Sequence, residues 1–418
     1  MNTSIKTIPT TPTPLSQRIL SIKPSPTLAV SARATKLKAE GKDIIGLAVG
    51  EPDFDTPQHI KDAAIQAIEQ GFTKYTAVEG IPELRAAISA KFARDNHLEY
   101  SPKQILVSNG GKQCFFNLAQ SLLQKGDEVI IPAPYWVSYP DIVLLSDATP
   151  VILFADHEQN FKMTADQLKK AITPRTRLLV LNSPSNPTGM AYTANEWKAI
   201  AAVLKEHPKI YIATDDMYEK IYWGKEPFSN ILMCCPELYD RCVVLHGVSK
   251  TYAMTGWRIG FAAGPQDLIA AMTTLQSQCT SNACSISQKA AVAALEGDQS
   301  CIQRMNKAFK ERHDFLVAAL NQLPGVECTP NDGTFYAFPS VSKLITQLAN
   351  KGARIKGFEA GIHNDLSLAE LLLTHANVAV VPGSAFGAPG YLRFSFATSL
   401  ENLQKAIHQI QNCLHEIL

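Results

Sequence analysis

The chain has 418 residues and a formal net charge of +1, with 46% hydrophobic and 18% charged side chains. This length exceeds what one simple core organises, so it predicts two domains or one large domain with an added lobe. A net charge near zero provides no overall field that would attract nucleic acid or an anionic membrane, and we expect neither partner. The uninterrupted apolar stretches are shorter than the roughly 18–20 residues that a membrane span needs.

The nine cysteines are scattered without CxxC or Cys/His metal-ligand spacing, and Cys234 and Cys235 are adjacent. This pattern predicts reduced thiols, no metal site and a cytoplasmic protein. Residues 1–15 are rich in Thr and Pro and lack the apolar core of a signal peptide. We therefore expect a flexible tail over 1–15.

From residue 28 onward, helical and extended patterns alternate along the chain. Helices are predicted at 28–40, 57–70, 81–97, 111–125, 194–206 and 265–275, with a long helical pattern at 285–322 and a last helix at 400–417. Strands are predicted at 44–49, 104–108, 128–132, 150–154, 177–182, 209–214, 242–246, 258–263, 334–338, 377–381 and 391–396. This order favours an α/β fold with a mostly parallel central sheet covered by helices on both faces.

The alternation also predicts the domain organisation. A large α/β domain is expected over 60–300, and a smaller domain should combine 16–59 with 310–418. Residues 356–368 resemble an insertion, and the pattern assigns them no structure.

In open α/β sheets, ligands bind outside the carboxyl ends of the strands, and unusual residues of this chain follow several predicted strands. Gly110 and Gly111 open a helix after 104–108, where backbone N–H groups and the helix dipole favour an anion, although a plain tight turn has the same pattern. Trp136 could stack on a flat ring or simply cover the core. Asn186, in a turn rich in Pro, Asn and Gly, could present its amide to a ligand oxygen.

Asp215 and Tyr218 follow the strand predicted at 209–214. A carboxylate at the end of an apolar strand is costly to desolvate unless it has a cationic partner, and a pyridinium nitrogen would be such a partner. The same carboxylate could instead cap a helix. Tyr218 could donate a hydrogen bond to a phenolate oxygen of the same ring.

Residues 249–260 read Ser-Lys-Thr-Tyr-Ala-Met-Thr-Gly-Trp-Arg-Ile-Gly after an apolar run. Lys250 should therefore lie where a buried strand ends, with Arg258 eight residues further on. The amine can form a Schiff base with the aldehyde of pyridoxal phosphate, and the guanidinium can pair with its phosphate. An isolated Lys and Arg would more often be solvated. Their combination with the other strand-end residues favours a pyridoxal-phosphate site.

With these motifs the chain resembles the class I aminotransferases of fold type I, and in particular the prokaryotic-type aspartate aminotransferases. The resemblance runs from about Leu15 to the C-terminus. It rests on Gly50-Glu51-Pro52-Asp53-Phe54, Thr73-Lys74-Tyr75, Gly110-Gly111-Lys112-Gln113, Pro134-Tyr135-Trp136, Asn186-Pro187-Thr188-Gly189, the Lys250 segment and Arg393-Phe394-Ser395. It implies a large domain with a mostly parallel sheet between helices, plus a smaller α+β domain.

The resemblance also implies roles around a pyridoxal-phosphate cofactor. Lys250 would form the internal aldimine and then move a proton between the substrate α-carbon and the cofactor C4′ atom. The other implied cofactor contacts are Asp215 to the ring nitrogen, Tyr218 and Asn186 to the phenolic oxygen, Trp136 on the ring face, and Gly110, Gly111, Lys112, Ser249 and Arg258 around the phosphate. Many relatives have a serine at the position of Gly247, and Ser249 would partly replace it. Tyr75 would reach the cofactor of a neighbouring subunit, which implies a homodimer with shared active sites.

For an amino-acid or 2-oxo-acid substrate, the resemblance implies that Arg393 clamps the α-carboxylate and that Gly50 touches it through its backbone, with Trp136 and Asn186 alongside. One branch of the family binds a distal carboxylate with an arginine in the segment matching 276–282, which here contains neither Arg nor Lys. The prokaryotic-type branch uses the lysine at the position of Lys112. The segment Lys23-Pro24-Ser25-Pro26-Thr27 fits the pattern of enzymes that also accept prephenate, with the threonine assisting.

We therefore predict ping-pong transamination from aspartate to 2-oxoglutarate, with prephenate as an additional substrate. The main alternative is an aminotransferase for neutral or aromatic amino acids such as alanine or tyrosine. A carbon–sulfur lyase or cyclopropane-forming synthase could use the same fold. A ligand-sensing regulator would need a DNA-binding module, for which 1–27 is too short. The chain could also be a scaffold protein that has lost its cofactor, but such a protein would not be expected to keep Lys250, Asp215 and Arg258 together.

Overall fold

The computed structural model describes residues 13–350, 358 and 361–418. The predicted tail over 1–15 lies outside the described residues except for 13–15. The unassigned segment 356–368 is described at 358 and from 361 onward, where its last residues begin a helix.

The helices, in chain order, are α1 (Gln17–Leu20), α2 (Pro26–Ala39), α3 (Gln58–Glu69), α4 (Pro82–Asn96), α5 (Gly111–Leu122), α6 (Ser138–Leu145), α7 (Ala165–Ala171), α8 (Ala194–Lys205), α9 (Ile231–Cys234), α10 (Gln266–Cys279), α11 (Ser285–Glu296), α12 (Ser300–Leu320), α13 (Ser342–Asn350), α14 (Asp365–Thr374) and α15 (Leu400–Ile417). The strands are β1 (Ile45–Gly46), β2 (Ile105–Ser108), β3 (Glu128–Ala133), β4 (Thr149–Phe154), β5 (Thr176–Asn182), β6 (Tyr211–Asp215), β7 (Cys242–Gly247), β8 (Gly260–Ala263), β9 (Tyr336–Ala337), β10 (Val378–Ala379), β11 (Val381–Pro382) and β12 (Leu392–Ser395).

A seven-stranded sheet of order β2-β8-β7-β6-β5-β3-β4 forms the centre of the fold. Neighbouring strands are parallel from β7 to β4, and β8 is antiparallel to both of its neighbours. Every residue of β2, β7 and β8 is buried, as expected for strands covered on both faces. The predicted α/β fold with a mostly parallel sheet is confirmed.

This topology gathers the ends of several strands at one edge of the sheet. Parallel strands point their carboxyl ends the same way, so Asn182, Asp215 and Gly247 end β5, β6 and β7 side by side. Because β8 returns antiparallel, its first residue Gly260 pairs with both Ser108 and Gly247. The loop that carries Lys250 is therefore held over this same edge.

Two smaller sheets join the beginning of the chain to its last third. β1 pairs in parallel with β10, and β12 lies between β11 and β9 in an antiparallel sheet. On α2, Val30 and Leu37 pack against Leu373 and Ala379. These contacts agree with a small domain built from both ends of the chain, whose exact boundaries stay a prediction.

Some predicted elements differ from the structure. The long pattern over 285–322 is two helices, because extended backbone at Gly297 ends α11 before α12 begins. The strand predicted at 44–49 pairs only over Ile45–Gly46. The pattern gave no sign of α6, whose apolar run at 142–145 has no helical spacing. Among the described residues, the helices are too short or too polar to cross a membrane.

Candidate active site

A cavity of about 260 Å³ opens at the carboxyl edge of the central sheet. The predicted site residues that line it are Thr27, Gly50, Gly111, Lys112, Trp136, Asn186, Asp215, Tyr218, Ser249, Lys250, Arg258 and Arg393. They come from eight separate regions of the sequence, and most of them follow strands whose ends meet at this edge.

Lys250 lies three residues beyond the end of β7, and its amine reaches into the cavity. Its Nζ donates a hydrogen bond to the backbone oxygen of Gly50 at 2.6 Å. Burial lowers the pKa of the Lys250 amine from its ordinary value of 10.5 to about 8, and nearby Arg258 and Arg393 act in the same direction. A pKa near neutrality lets this amine both accept and release a proton, and leaves part of it uncharged as a nucleophile.

Asp215 ends β6 with its carboxylate in the cavity. Oδ2 accepts a hydrogen bond from the Tyr139 hydroxyl at 2.6 Å, and Oδ1 accepts one from the backbone N–H of Met217 at 3.2 Å. Burial raises the pKa of Asp215, while these hydrogen bonds and the amine of Lys250 oppose that rise. A cation placed beside this carboxylate would stabilise the ionised form further.

An anion cradle lies at the N-terminus of α5, beside Arg258. Gly110 has a φ of 89°, and a Cβ there would lie 2.3 Å from Arg258 Nη2, so the guanidinium lies directly against the glycine turn. Arg258 donates to the backbone oxygens of Thr255 and Asn109, at 2.9 Å and 3.2 Å. Gly110 itself is outside the cavity lining, but it shapes the turn that presents the N–H groups of α5.

Gly247 is closely confined by the neighbouring strand. A Cβ there would lie 2.9 Å from the carbonyl oxygen of Ile259 and 3.1 Å from the Cα of Gly260. The serine expected from the resemblance therefore does not fit this backbone without a shift. Ser249, buried and on the cavity wall, is available nearby.

Arg393 lies in β12 and is 2% exposed. Its Nη1 donates to Asn186 Oδ1 at 2.9 Å and its Nη2 to the backbone oxygen of Ala48 at 2.6 Å. Its Nε is buried without a hydrogen-bond partner among the described residues, although burial of an unpaired charged donor is costly. The Tyr336 ring lies under the guanidinium, with the Cζ atom 4.3 Å from the ring centroid. Because this fixed cation lines the cavity, it is suited to an incoming carboxylate.

Lys112 and Thr27 line the outer part of the cavity. Lys112 is the second residue of α5, and its Nζ lies 5.3 Å from the centroid of the Trp136 ring. Burial and the nearby Arg258 both lower the pKa of Lys112. Thr27 lies in the first turn of α2, next to Ser25 and Leu28, which also line the cavity.

The donor set as a whole fits a phosphorylated aromatic aldehyde. Lys250 supplies the amine, Asp215 a carboxylate for a ring cation, and the α5 cradle with Arg258 a site for a phosphate. Arg393, which also lines the cavity, is a separate cation for a substrate carboxylate.

Tyr75 lies outside this cavity and is 91% exposed. Its implied contact with a neighbouring subunit's cofactor stays a prediction.

Sequence reasoning missed two tyrosines of the site. Tyr139 binds Asp215, and Tyr336 lines the cavity with its hydroxyl 2.9 Å from that of Tyr218. A Cβ at Gly50 would lie 2.2 Å from the Tyr336 hydroxyl, so the glycine leaves room for this ring. Tyr139 is the second residue of α6, a helix that the sequence pattern did not predict. Tyr336 lies in an apolar run, and nothing in the sequence pattern distinguishes it from a core residue.

Comparisons with known proteins agree with this geometry. The family described as aminotransferase class I and II matches residues 42–410. An aspartate/prephenate aminotransferase of Nitrosomonas europaea is 57% identical over 400 residues, which cover 96% of this chain and 99% of that protein. The crystal structure of an aspartate aminotransferase from Rhizobium meliloti shares 44% identity at a TM-score of 0.92, covering 97% of this chain and 100% of that one.

The aspartate aminotransferase of Thermus thermophilus, solved with maleate, shares 39% identity at a TM-score of 0.88, covering 96% of this chain and 100% of that one. The predicted fold type I architecture and the resemblance to class I enzymes are thereby confirmed. The chain belongs to the class I and II aminotransferase family.

Proposed function

We propose that this aminotransferase uses pyridoxal 5′-phosphate to move the amino group of aspartate to 2-oxoglutarate, and that it also accepts prephenate. The observation that carries the proposal is the meeting of Lys250, Asp215 and Arg258 in one cavity with the carboxylate clamp Arg393. Lys112 at the outer wall supplies the cation that a second carboxylate requires.

When bound, pyridoxal phosphate supplies an aldehyde that condenses with amines and a ring that accepts electrons from the substrate α-carbon. The chain's own residues position the reaction around it. Asp215, aligned by Tyr139, would hold the ring nitrogen protonated, and Tyr218 with Asn186 would bind the phenolic oxygen. Gly110, Gly111, Ser249 and Arg258 would hold the phosphate, with Trp136 on the ring face.

Lys250 would carry the proton of the reaction. Its amine lies in the cavity with a pKa of about 8, so at neutral to mildly alkaline pH both protonation states are populated. In one half of the ping-pong cycle it would move a proton from the substrate α-carbon to the C4′ atom of the cofactor, and in the other half it would move a proton in the opposite direction. Arg393 would fix the α-carboxylate through its guanidinium, which keeps the α-carbon in reach of Lys250.

The names of similar proteins support the substrate assignment. The Nitrosomonas europaea relative is named for aspartate and prephenate, and the Thermus thermophilus structure contains maleate, a dicarboxylate. In this chain Lys112, Thr27 and Trp136 all line the cavity together with Arg393, and the Lys112 ammonium lies 5.3 Å from the centroid of the Trp136 ring.

A panel of amino donors with 2-oxoglutarate, and of oxo-acid acceptors including prephenate, tests the proposal. We expect the highest kcat/KM with aspartate and measurable amination of prephenate. Higher kcat/KM with alanine or tyrosine would instead support the alternative of a neutral or aromatic aminotransferase. Failure to transfer nitrogen from any donor would refute the proposal.

We further propose a homodimer with shared active sites. Tyr75 is 91% exposed, and Ile65 and Ile68 on α3 are 51% and 54% exposed, which suits a surface covered by a second copy. The test mixes two inactive variants, Tyr75→Ala and Lys250→Ala. Mixed dimers should regain part of the activity, because one of their sites combines an intact Lys250 with an intact Tyr75. If the two variants are shown to exchange subunits and the mixture still regains no activity, the proposal of shared active sites is contradicted.

We also infer a cytoplasmic location. All nine cysteines are free, including the adjacent Cys234 and Cys235, and this usage is typical of a reducing compartment. Cell fractionation with a compartment marker tests it, and recovery in an oxidising compartment would contradict it.

A further inference from the structure

A cluster of buried polar side chains lies behind the loop that follows β6. In this loop Asp215 and Tyr218 line the cavity. The residues that directly follow them, Asp216 and Glu219, are 0% and 4% exposed and bind groups elsewhere in the protein. Each of these two cavity-lining residues is thus followed directly by a buried acid whose partners lie outside the cavity.

Glu219 is held by three buried groups at once. Its Oε2 accepts hydrogen bonds from Lys91 Nζ at 2.7 Å and from Asn96 Nδ2 at 3.0 Å, and both donors belong to α4. His246 Nε2 lies 3.2 Å from the same oxygen. Burial alone would raise the pKa of Glu219, but Lys91 and His246 lower it well below its ordinary range. The carboxylate is therefore ionised, and its contacts are charge-assisted.

His246 links the cluster to the strand that leads to Lys250. The Gly247 backbone N–H donates to His246 Nδ1 at 2.6 Å, so the ring proton is assigned to Nε2, which faces Glu219. The ring also lies parallel to Phe261, with centroids 5.3 Å apart. The cluster thereby connects α4, the loop after β6 and the end of β7.

Asp216 provides a second anchor for the same loop. Its Oδ1 accepts from the Thr214 hydroxyl at 2.8 Å, and its Oδ2 accepts from Asn230 Nδ2 at 2.6 Å. With Asp216 and Glu219 both fixed, the short stretch between them has little freedom, and Tyr218 is held within it.

We propose that Lys91, Glu219 and His246 form a positioning network that holds Asp215 and Tyr218 in the orientation needed to bind the cofactor. This inference rests on the proposed function. If Glu219 loses its charge, the buried Lys91 loses its ion-pair partner, which is strongly unfavourable, and a shift of the loop would relieve it. A shift of about 1 Å in groups that contact the reacting ring can lower the rate roughly 100-fold.

The experiment uses the full-length protein with Glu219→Gln and wild type. Three quantities are measured: the Kd of the cofactor-free protein for pyridoxal phosphate, the pH midpoint of the visible absorbance of the loaded protein, and kcat. In Glu219→Gln we expect a roughly 10-fold or greater rise in Kd, a shifted pH midpoint and a 10- to 100-fold fall in kcat. His246→Phe, which keeps a ring beside Phe261 but removes the N–H, should move the same quantities and serves if Glu219→Gln does not fold.

Glu128→Gln is the matched control. Glu128 is also a buried carboxylate, bound by Arg175 Nε at 2.8 Å and the Thr173 hydroxyl at 2.6 Å, but it begins β3 at the opposite edge of the sheet. Glu128→Gln should lower the free energy of unfolding. The Kd for pyridoxal phosphate, the pH midpoint of the absorbance and kcat should stay near the wild-type values. If Glu219→Gln and His246→Phe lower only stability, as the control does, the positioning network is refuted. If the wild type itself does not bind pyridoxal phosphate, the proposed function fails instead.

Discussion

Removal of the Lys112 ammonium should weaken the enzyme for dicarboxylic substrates specifically. A hydrogen bond between charged groups contributes about 1.5–3 kcal/mol. Lys112 is partly exposed to solvent, so screening reduces this to about 1–2 kcal/mol, or roughly 5- to 30-fold in kcat/KM. For Lys112→Ala we expect this loss for aspartate, mainly as a raised KM, and little change for alanine, which has no distal carboxylate.

Stability measurements separate this effect from a folding defect. Lys112 lies in the first turn of α5, where a positive charge opposes the helix dipole at a cost of about 0.3–1 kcal/mol. Lys112→Ala should therefore leave the free energy of unfolding unchanged or slightly higher. Lys125→Ala, an exposed lysine just beyond the other end of α5, is the control and should alter neither substrate. Equal losses with aspartate and alanine would refute the role assigned to Lys112.

Two further predictions concern the fold around the site. Because burial lowers the Lys250 pKa to about 8, the unfolded chain holds this proton more tightly than the folded one between about pH 8 and 10.5. Lys250→Met should therefore raise the free energy of unfolding of the cofactor-free protein at pH 7, as measured by denaturant titration. The difference from wild type should shrink as the pH rises above about 8. A difference that stays constant up to pH 10.5 would contradict this. Gly247→Ser should destabilise the protein by about 1–3 kcal/mol because its Cβ meets Ile259, whereas Gly46→Ala, with open space at its Cβ, should cost less. A Gly247→Ser protein as stable as the Gly46→Ala protein would contradict this prediction and show that the backbone around Ile259 adapts to the added side chain.

The strand-end residues were predictable because topology alone brings them together. Asp215 and Lys250 follow apolar runs of the kind that form buried parallel strands, and the carboxyl ends of such strands meet at one edge. The residue types there then limited the chemistry to a few choices. A polar or charged group directly after a buried strand was the informative signal.

Other parts of the site could not be derived from local pattern. Arg393 lies inside a buried strand, where an arginine is unexpected, and only the family resemblance pointed to it. Tyr139 and Tyr336 lie among apolar residues and look like core side chains until their hydroxyl partners are seen. The partners of Glu219 come from helix and strand positions more than twenty residues away in sequence, so only the folded structure relates them.

The most direct test of the account is the absorbance of purified protein with pyridoxal phosphate, compared between wild type and Lys250→Ala. Wild type should show a visible band from the lysine–cofactor Schiff base and should transaminate aspartate. The variant should lack the band and the turnover while keeping a folded far-UV spectrum. A Lys250→Ala protein that retains both the visible band and turnover would contradict the central claim.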